Sequence, residues 1–154
     1  MRRPETSNEV LKHCTDGGLL KRQQDIDTKK IKALVSQAQA DLHQAQKLVK
    51  TTSPKEQGWS TIYKLHYDVL HELVDAFLLF ELIKSDNHWC LFAYLCEKNE
   101  ELVLDWAFFE RIRTTRNGIT YYGTPITHDE WKSVELQINL YINTLKKAIE
   151  EKLK

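Results

Sequence analysis

Tyr63-Lys64-Leu65-His66-Tyr67-Asp68-Val69-Leu70-His71-Glu72-Leu73-Val74-Asp75-Ala76-Phe77-Leu78-Leu79-Phe80 is the stretch that decides the fold. Its apolar residues recur at three- and four-residue steps, and Ile62 and Ile83 extend the pattern at either end. The resulting face is wider than the single stripe of a surface helix, which predicts a central helix packed on more than one side. Within it, Val69–Ile83 is the most apolar run, yet it contains His71, Glu72, Asp75 and Glu81. It is too short and too charged to span a bilayer.

Outward from this helix, the boundaries are written in capping residues. Upstream, Ser53, Pro54 and Glu56 read as cap, first helical position and capping box, so the helix is predicted over Pro54–Lys84. Before it, Ile31, Leu34, Val35, Ala38, Leu42, Ala45, Leu48 and Val49 form one stripe and predict a helix over Thr28–Lys50. Downstream, Ser85-Asp86-Asn87 breaks the central helix and caps another over His88–Lys98. A further helix is expected over Glu100–Tyr121, ended by Gly123-Thr124-Pro125. Thr127-His128-Asp129-Glu130 is a second capping box, opening a last helix to the C-terminus. No stretch alternates like a strand. Short connections between long amphipathic helices predict an all-α, up-and-down bundle of four to five helices over residues 27–154. Residues 1–26 read as a polar, loose arm with room for one short helix around Asn8–His13.

Composition narrows the class. The 154 residues suit one domain. Twenty-two basic and 22 acidic residues give zero net charge. A general nucleic-acid-binding charge is therefore absent, and any such contact must be local. Three cysteines, an odd number without CxxC spacing, predict neither a disulfide framework nor a zinc site, and point to a reducing cytoplasm. Cys90 and Cys96 read as small buried hydrophobes. The opening Met1-Arg2-Arg3-Pro4-Glu5 has no apolar core, so no secretory leader is expected. His66 and His71 stand about 140° apart on a helix and cannot chelate one metal, so one is expected in the core and one in solvent. No metal or other cofactor is expected.

Chemistry concentrates in Glu110-Arg111-Ile112-Arg113-Thr114-Thr115-Arg116-Asn117-Gly118-Ile119-Thr120-Tyr121-Tyr122-Gly123. Phe109 and Ile112 mark the buried stripe, and Arg113 and Arg116 fall on or beside it. An inward guanidinium must be paired or must serve a ligand. The structural alternative pairs both arginines with acids of the central helix, such as Glu72 or Asp75. Otherwise Arg116, Asn117 and Tyr121 offer a fixed cation, an amide and a phenol near one helix end, with Arg113 and Tyr122 beside them for phosphate. An Arg fork suits phosphate oxygens, whereas a phenol is a poor base near neutrality. A tryptophan close to Tyr121 would add a face for stacking a base.

At these residues the chain resembles the HEPN family (higher eukaryotes and prokaryotes nucleotide-binding). The resemblance runs from about Gly18 to Ile149. It includes Gly18–Lys21, the Ala-rich Ala38–Ala45, the helix bearing Tyr63, His71 and Asp75, and Asn87-His88-Trp89-Cys90-Leu91. Its strongest part is Arg113-x-x-Arg116-Asn117-x-x-x-Tyr121-x-Gly123, similar to the family's Arg-x(4–6)-His motif. The resemblance implies a helical bundle that forms homodimers, with two Arg motifs facing across one cleft. It implies RNA or nucleotide binding and, in active members, metal-independent ribonuclease toxins in which Arg holds the scissile phosphate and His assists the 2′-hydroxyl. Other members pair with a small nucleotidyltransferase antitoxin. Here Tyr121 stands where that His is expected, and the next His along the chain is His128, beyond Pro125. Imidazole chemistry is thereby in question, phosphate binding is not. Three readings follow: an RNA- or nucleotide-binding homodimer at Arg116, Asn117 and Tyr121; a non-catalytic partner of a small nucleotidyltransferase; or a ligand-free helical scaffold. A cytoplasmic protein without a membrane segment is expected in each.

Overall fold

A computed structural model describes residues 5–154, and they form a helical bundle. Six α-helices follow in chain order among the described residues: α1 (Ser7–Asp16), α2 (Thr28–Thr51), α3 (Trp59–Leu79), α4 (His88–Lys98), α5 (Trp106–Tyr122) and α6 (His128–Leu153). A 3₁₀ turn, Glu100–Leu102, precedes α5. Two strands of two residues each, β1 (Lys21–Arg22) and β2 (Ile83–Lys84), pair antiparallel. Over residues 27–154 the five helices α2–α6 match the expected four to five, and α1 is the short helix for which the arm had room; the two-residue ladder is the element the sequence did not predict. The expectation of no leader rested largely on residues 1–4, which lie outside the described residues.

The central helix is α3. Thirteen of its 21 residues are buried, from Trp59 to Leu79, on more than one side. It packs against α2, α4, α5, α6 and β2. Trp131, Ile138, Tyr141 and Leu145 of α6 and Phe109 and Ile112 of α5 close the same core. Phe92 and Phe109 lie with ring centroids 4.7 Å apart, and Phe109 and Tyr141 5.4 Å. This aromatic run links α4, α5 and α6 around α3. The Tyr141 hydroxyl accepts from the Asp105 backbone N–H at 2.8 Å, which ties α6 to the start of α5.

The caps explain most boundaries. Asp27 accepts from the Lys30 N–H, Asn87 from Cys90, Asp105 from Ala107 and Thr127 from Glu130. Gly123 (φ +65°) ends α5, and the Thr124 N–H closes on the Gly118 carbonyl. That left-handed position favours a residue without Cβ.

Two boundaries differ from expectation. The Ser53–Glu56 box does form, with the Ser53 N–H donating to the Glu56 carboxylate at 3.0 Å. It closes a turn, however, and α3 begins later, at Trp59 behind Gly58. At the far end Leu82 takes φ +63°, which stops the helix and turns the chain into β2. Likewise Val103 takes φ +53°, so Glu100–Tyr121 is not one helix. A left-handed Leu or β-branched Val has no sequence signature, because glycine normally marks such sites.

The described residues before position 27 are also tied down. Thr6 caps α1, and Val10, Leu11 and Cys14 pack on Cys90 and Ala93 of α4 as a second, small core. The Ser7 hydroxyl donates to Glu97. Cys14 and Cys90 form a disulfide, with Cα atoms 5.8 Å apart and a sequence separation of 76. This corrects the expectation of no disulfide. It also removes the ground on which the cysteines pointed to a reducing cytoplasm. Cys96 is free, and burial pushes its thiol up to about 12, which makes it inert. His66 is fully buried against Trp131 and His71 is largely so, which corrects the expected split between core and solvent. No described helix is long and apolar enough to cross a membrane.

Unfolded without reductant, the chain should expose one titratable thiol, and three after reduction. A Cys14→Ser, Cys90→Ser double variant should lose about 2–4 kcal/mol in urea unfolding. Three thiols before reduction would disprove the pairing. Phe109→Ala should cost about 3–5 kcal/mol by the same measurement, because its ring joins three helices and the hole cannot collapse.

Candidate functional site

The site begins as a polar strip inside an apolar helix. Tyr67, His71 and Asp75 stand at successive four-residue steps on α3, so they share one face. Asp68 lies beside that strip. Asn87 caps α4 and thereby places His88 at its first position. The His71 and His88 rings stack with centroids 3.6 Å apart and 23° between planes. Nδ1 of His88 lies 2.9 Å from the Tyr67 hydroxyl oxygen. Nε2 of His71 lies 3.5 Å from an Asp75 carboxylate oxygen.

From the other side α5 brings Arg116. Its guanidinium carbon sits 5.4 Å above the Tyr67 ring centre. One terminal nitrogen is 3.7 Å from Asp68, longer than a hydrogen bond, and the Asp68 side chain is 44% exposed. The buried Nε of Arg116 has no hydrogen-bond partner among the described residues. Arg113 is held quite differently. Glu110, on its own helix, accepts from its Nε at 2.9 Å and from a terminal nitrogen at 3.1 Å. Neither arginine pairs with Glu72 or Asp75. Arg113 is neutralised by a side-on carboxylate, while Arg116 keeps most of its hydrogen-bonding capacity.

Charge follows this geometry. Burial raises the Asp68 carboxyl above its ordinary range, outweighing the pull of Arg116 and Lys64. The Arg116–Asp68 contact is weak on its geometry, at 3.7 Å with the carboxylate 44% exposed. Burial lowers His88, and Arg116 and Arg113 lower it further. His71 falls to about 3, through burial, then His88, then Arg116. Burial pushes the Tyr67 phenol well up, so it stays a hydroxyl. Two neutral imidazoles therefore stand beside one guanidinium. Lower on the strip, burial raises Asp75 to about 6, partly offset by Lys30 and Lys84.

A cavity of about 340 Å³ opens over this arrangement. His88, Trp89, Arg113, Arg116, Asn117 and Tyr121 line it. Of the residues expected from the sequence, Arg113, Arg116, Asn117 and Tyr121 thus meet at one place. Tyr122 is 84% exposed and is not among the lining residues. Trp89 is the tryptophan near Tyr121. His88, which lies 28 positions before Arg116, supplies the imidazole that reading along the chain did not find, since His128 packs on Trp59. No spacing rule connects positions 88 and 116. The visible signal was the strip of Tyr67, His71 and Asp75 inside a core helix, because such groups call for polar partners across the packing. Among the described residues, no group of three His, Cys, Asp or Glu side chains gathers as a metal site.

Comparison with family models, with curated proteins and with solved structures finds no match to this chain.

Proposed function

We propose that this protein is a HEPN-like homodimer that binds the phosphates of RNA or a nucleotide at Arg116 and Asn117, with His88 supplying the imidazole absent at position 121. The observation that carries this reading is the meeting of His88 and Arg116 on one open cavity. Arg116 is loosely paired, so a phosphate oxygen can displace or share the Asp68 contact. Asn117 and Tyr121 add an amide and a phenol on the same wall. Arg113 remains in its Glu110 clamp and adds field rather than a free fork. The net charge is zero, so attraction for the anion is local to this cavity.

The same atoms suit metal-independent cleavage of RNA. Nδ1 of His88 is engaged with Tyr67, and Nε2 makes no hydrogen bond to the described residues. With Nδ1–H donated to the Tyr67 oxygen, Nε2 carries the lone pair. It takes the proton of a ribose 2′-hydroxyl while that oxygen attacks phosphorus. The bond from phosphorus to the 5′-oxygen breaks, leaving a 2′,3′-cyclic phosphate. The departing oxygen takes a proton from the Tyr121 phenol or from water. Arg116 holds the non-bridging oxygens as charge builds there. A second copy would set its own cleft against this one. Tyr121 and Tyr122, 70% and 84% exposed, stand at the end of α5 as surface for that copy or for a stacked base.

Binding is read by fluorescence anisotropy of a labelled RNA oligonucleotide in chelator. Arg116→Ala should weaken it about 10- to 100-fold, the worth of a lost charge-assisted contact. Arg113→Ala should cost clearly less. Equal affinity of wild type and Arg116→Ala would overturn the reading. His88→Ala should keep binding and lower cleavage about 10²- to 10⁴-fold, with cyclic phosphate ends as the product assay.

The imidazoles give a second measurable consequence. His71 has its folded pKa lowered from 6.5 to about 3, so its ring should not titrate in NMR spectra between pH 8 and 4.5. In the unfolded chain the same ring takes up a proton near 6.5. Its contribution to stability is therefore complete above that value and is lost as pH falls toward 3. A His71 resonance shifting with a midpoint near 6.5 would show that the ring is not held neutral.

A further inference from the structure

A second cavity, about 300 Å³, adjoins the first: His88 and Asp86 line both. Its volume is at the lower end of small-molecule sites, about 300–1,000 Å³, and fits a nucleobase with part of its sugar. The walls are built by three elements. Lys30 and Leu34 stand one turn apart on α2, and His71, Asp75 and Leu79 one turn apart on α3. Ile83 and Lys84 of β2 close the end. Leu34, Leu79 and Ile83 offer flat apolar contact, while the His71–His88 stack forms the partition toward Arg116.

From this we infer that the second cavity is a guanine-selective base subsite, with the Asp75 carboxylate accepting from guanine N1–H and the N2 amine and a lysine donating to O6. The inference deepens the phosphate reading of the Arg116 cavity and rests on it only for where the phosphate lies. The polar groups decide the base. Two carboxylates line the cavity; Asp86 is exposed and pairs with Lys21 at 3.6 Å, which leaves the Asp75 carboxylate to present two acceptors beside the Lys30 and Lys84 donors. Guanine alone among the common bases offers two adjacent donors next to a carbonyl. Adenine sets one amine beside the N1 lone pair, which repels a carboxylate, and cytosine does the same with N3. Uracil has one N–H between two carbonyls, so one carboxylate oxygen stays unpaired. Two further observations support a guest. Nε2 of His71 is buried and makes no hydrogen bond among the described residues, its nearest acid being the Asp75 carboxylate at 3.5 Å. Asp75 shares the cavity wall with Lys30 and Lys84 and makes a salt bridge to neither among the described residues. Its ordinary range is raised only to about 6, so at pH 8 it is the carboxylate that meets the base. Such sites discriminate strongly, because the wrong base leaves buried polar groups unpaired.

Calorimetry and saturation-transfer NMR at pH 8 with guanosine, adenosine, GMP and AMP test this on the full chain. Wild type should bind GMP at least about tenfold more tightly than AMP, and guanosine more tightly than adenosine. Asp75→Asn should bring both ratios close to one. Lys30→Ala, at an exposed position that leaves the core intact, should weaken GMP several-fold and leave AMP unchanged. Arg116→Ala should weaken GMP and AMP together and keep their ratio. Equal affinity for guanosine and adenosine, or no guanosine binding, would overturn the base subsite, whatever Arg116→Ala does. A guanosine preference that persists while Arg116→Ala leaves GMP affinity unchanged would sink the phosphate reading and keep the subsite.

Discussion

A helix at the centre of a bundle cannot carry polar side chains without answering for them. On one face of α3 the answer is required three times, at Tyr67, His71 and Asp75, one turn apart. Desolvation favours the uncharged form of each. The phenol and the imidazole comply at little cost: one remains a hydroxyl and one a neutral ring. Both then find partners in His88, through a hydrogen bond and a stack. Asp75 cannot comply as fully, because Lys30 and Lys84 draw it back toward ionisation. The strip thus passes from satisfied groups at Tyr67 to a half-satisfied carboxylate at Asp75. Openings develop at both ends of it, and His88 is common to the two.

The position of His88 depends in turn on features remote from the strip. Asn87 caps α4, and Ser85 fixes the approach by donating to the Leu19 carbonyl and accepting from the Asn87 N–H. Two residues beyond His88, Cys90 is bonded to α1. The pairing of β1 with β2 holds the chain on the other side of the same turn. Four constraints therefore converge on one helix start: a cap, the Ser85 hydrogen bonds, a disulfide and a two-residue ladder. Each is small by itself. Together they fix the first turn of α4, where a helix would otherwise be most prone to fray.

The legibility of the molecule from its sequence follows the reach of each interaction. Helices α2, α4 and α6 were readable almost to the residue, because their stripes are local and their caps adjacent. The end of α3 and the start of α5 were not, since Leu82 and Val103 adopt a backbone that usually needs glycine, and the start of α3 was not, since the Ser53–Glu56 box closes a turn instead of opening the helix. The Cys14–Cys90 bond was illegible for another reason: it joins residues 76 apart, and three cysteines allow several pairings or none. In the site, Arg113, Arg116, Asn117 and Tyr121 were readable because one helix carries them all. Their true partners were not. Asp68 and Glu110 took the places expected for Glu72 and Asp75, by a difference of one turn or one helix. His88 was legible as a helix start and not as an imidazole beside Arg116, because packing alone brings them together.

The contrast between the two arginines shows what a buried-facing charge becomes when its surroundings differ. Arg113 meets a carboxylate from its own helix, three residues away, in a two-point clamp. Such a pair forms with the helix itself and needs nothing from the rest of the fold. Arg116 points where its own helix offers no acid, over the Tyr67 ring, with Asp68 at 3.7 Å as the carboxylate in reach. A ring face and a distant, partly hydrated carboxylate stabilise a guanidinium without occupying its donors. That is the state in which a cation retains the most to gain from an incoming anion. Burial favours the neutral form of His88, and the same placement adds to it, because a guanidinium nearby disfavours a second positive charge. Cation and neutral base are thus set by one arrangement, and a change that clamps Arg116 as Arg113 is clamped would weaken both properties together.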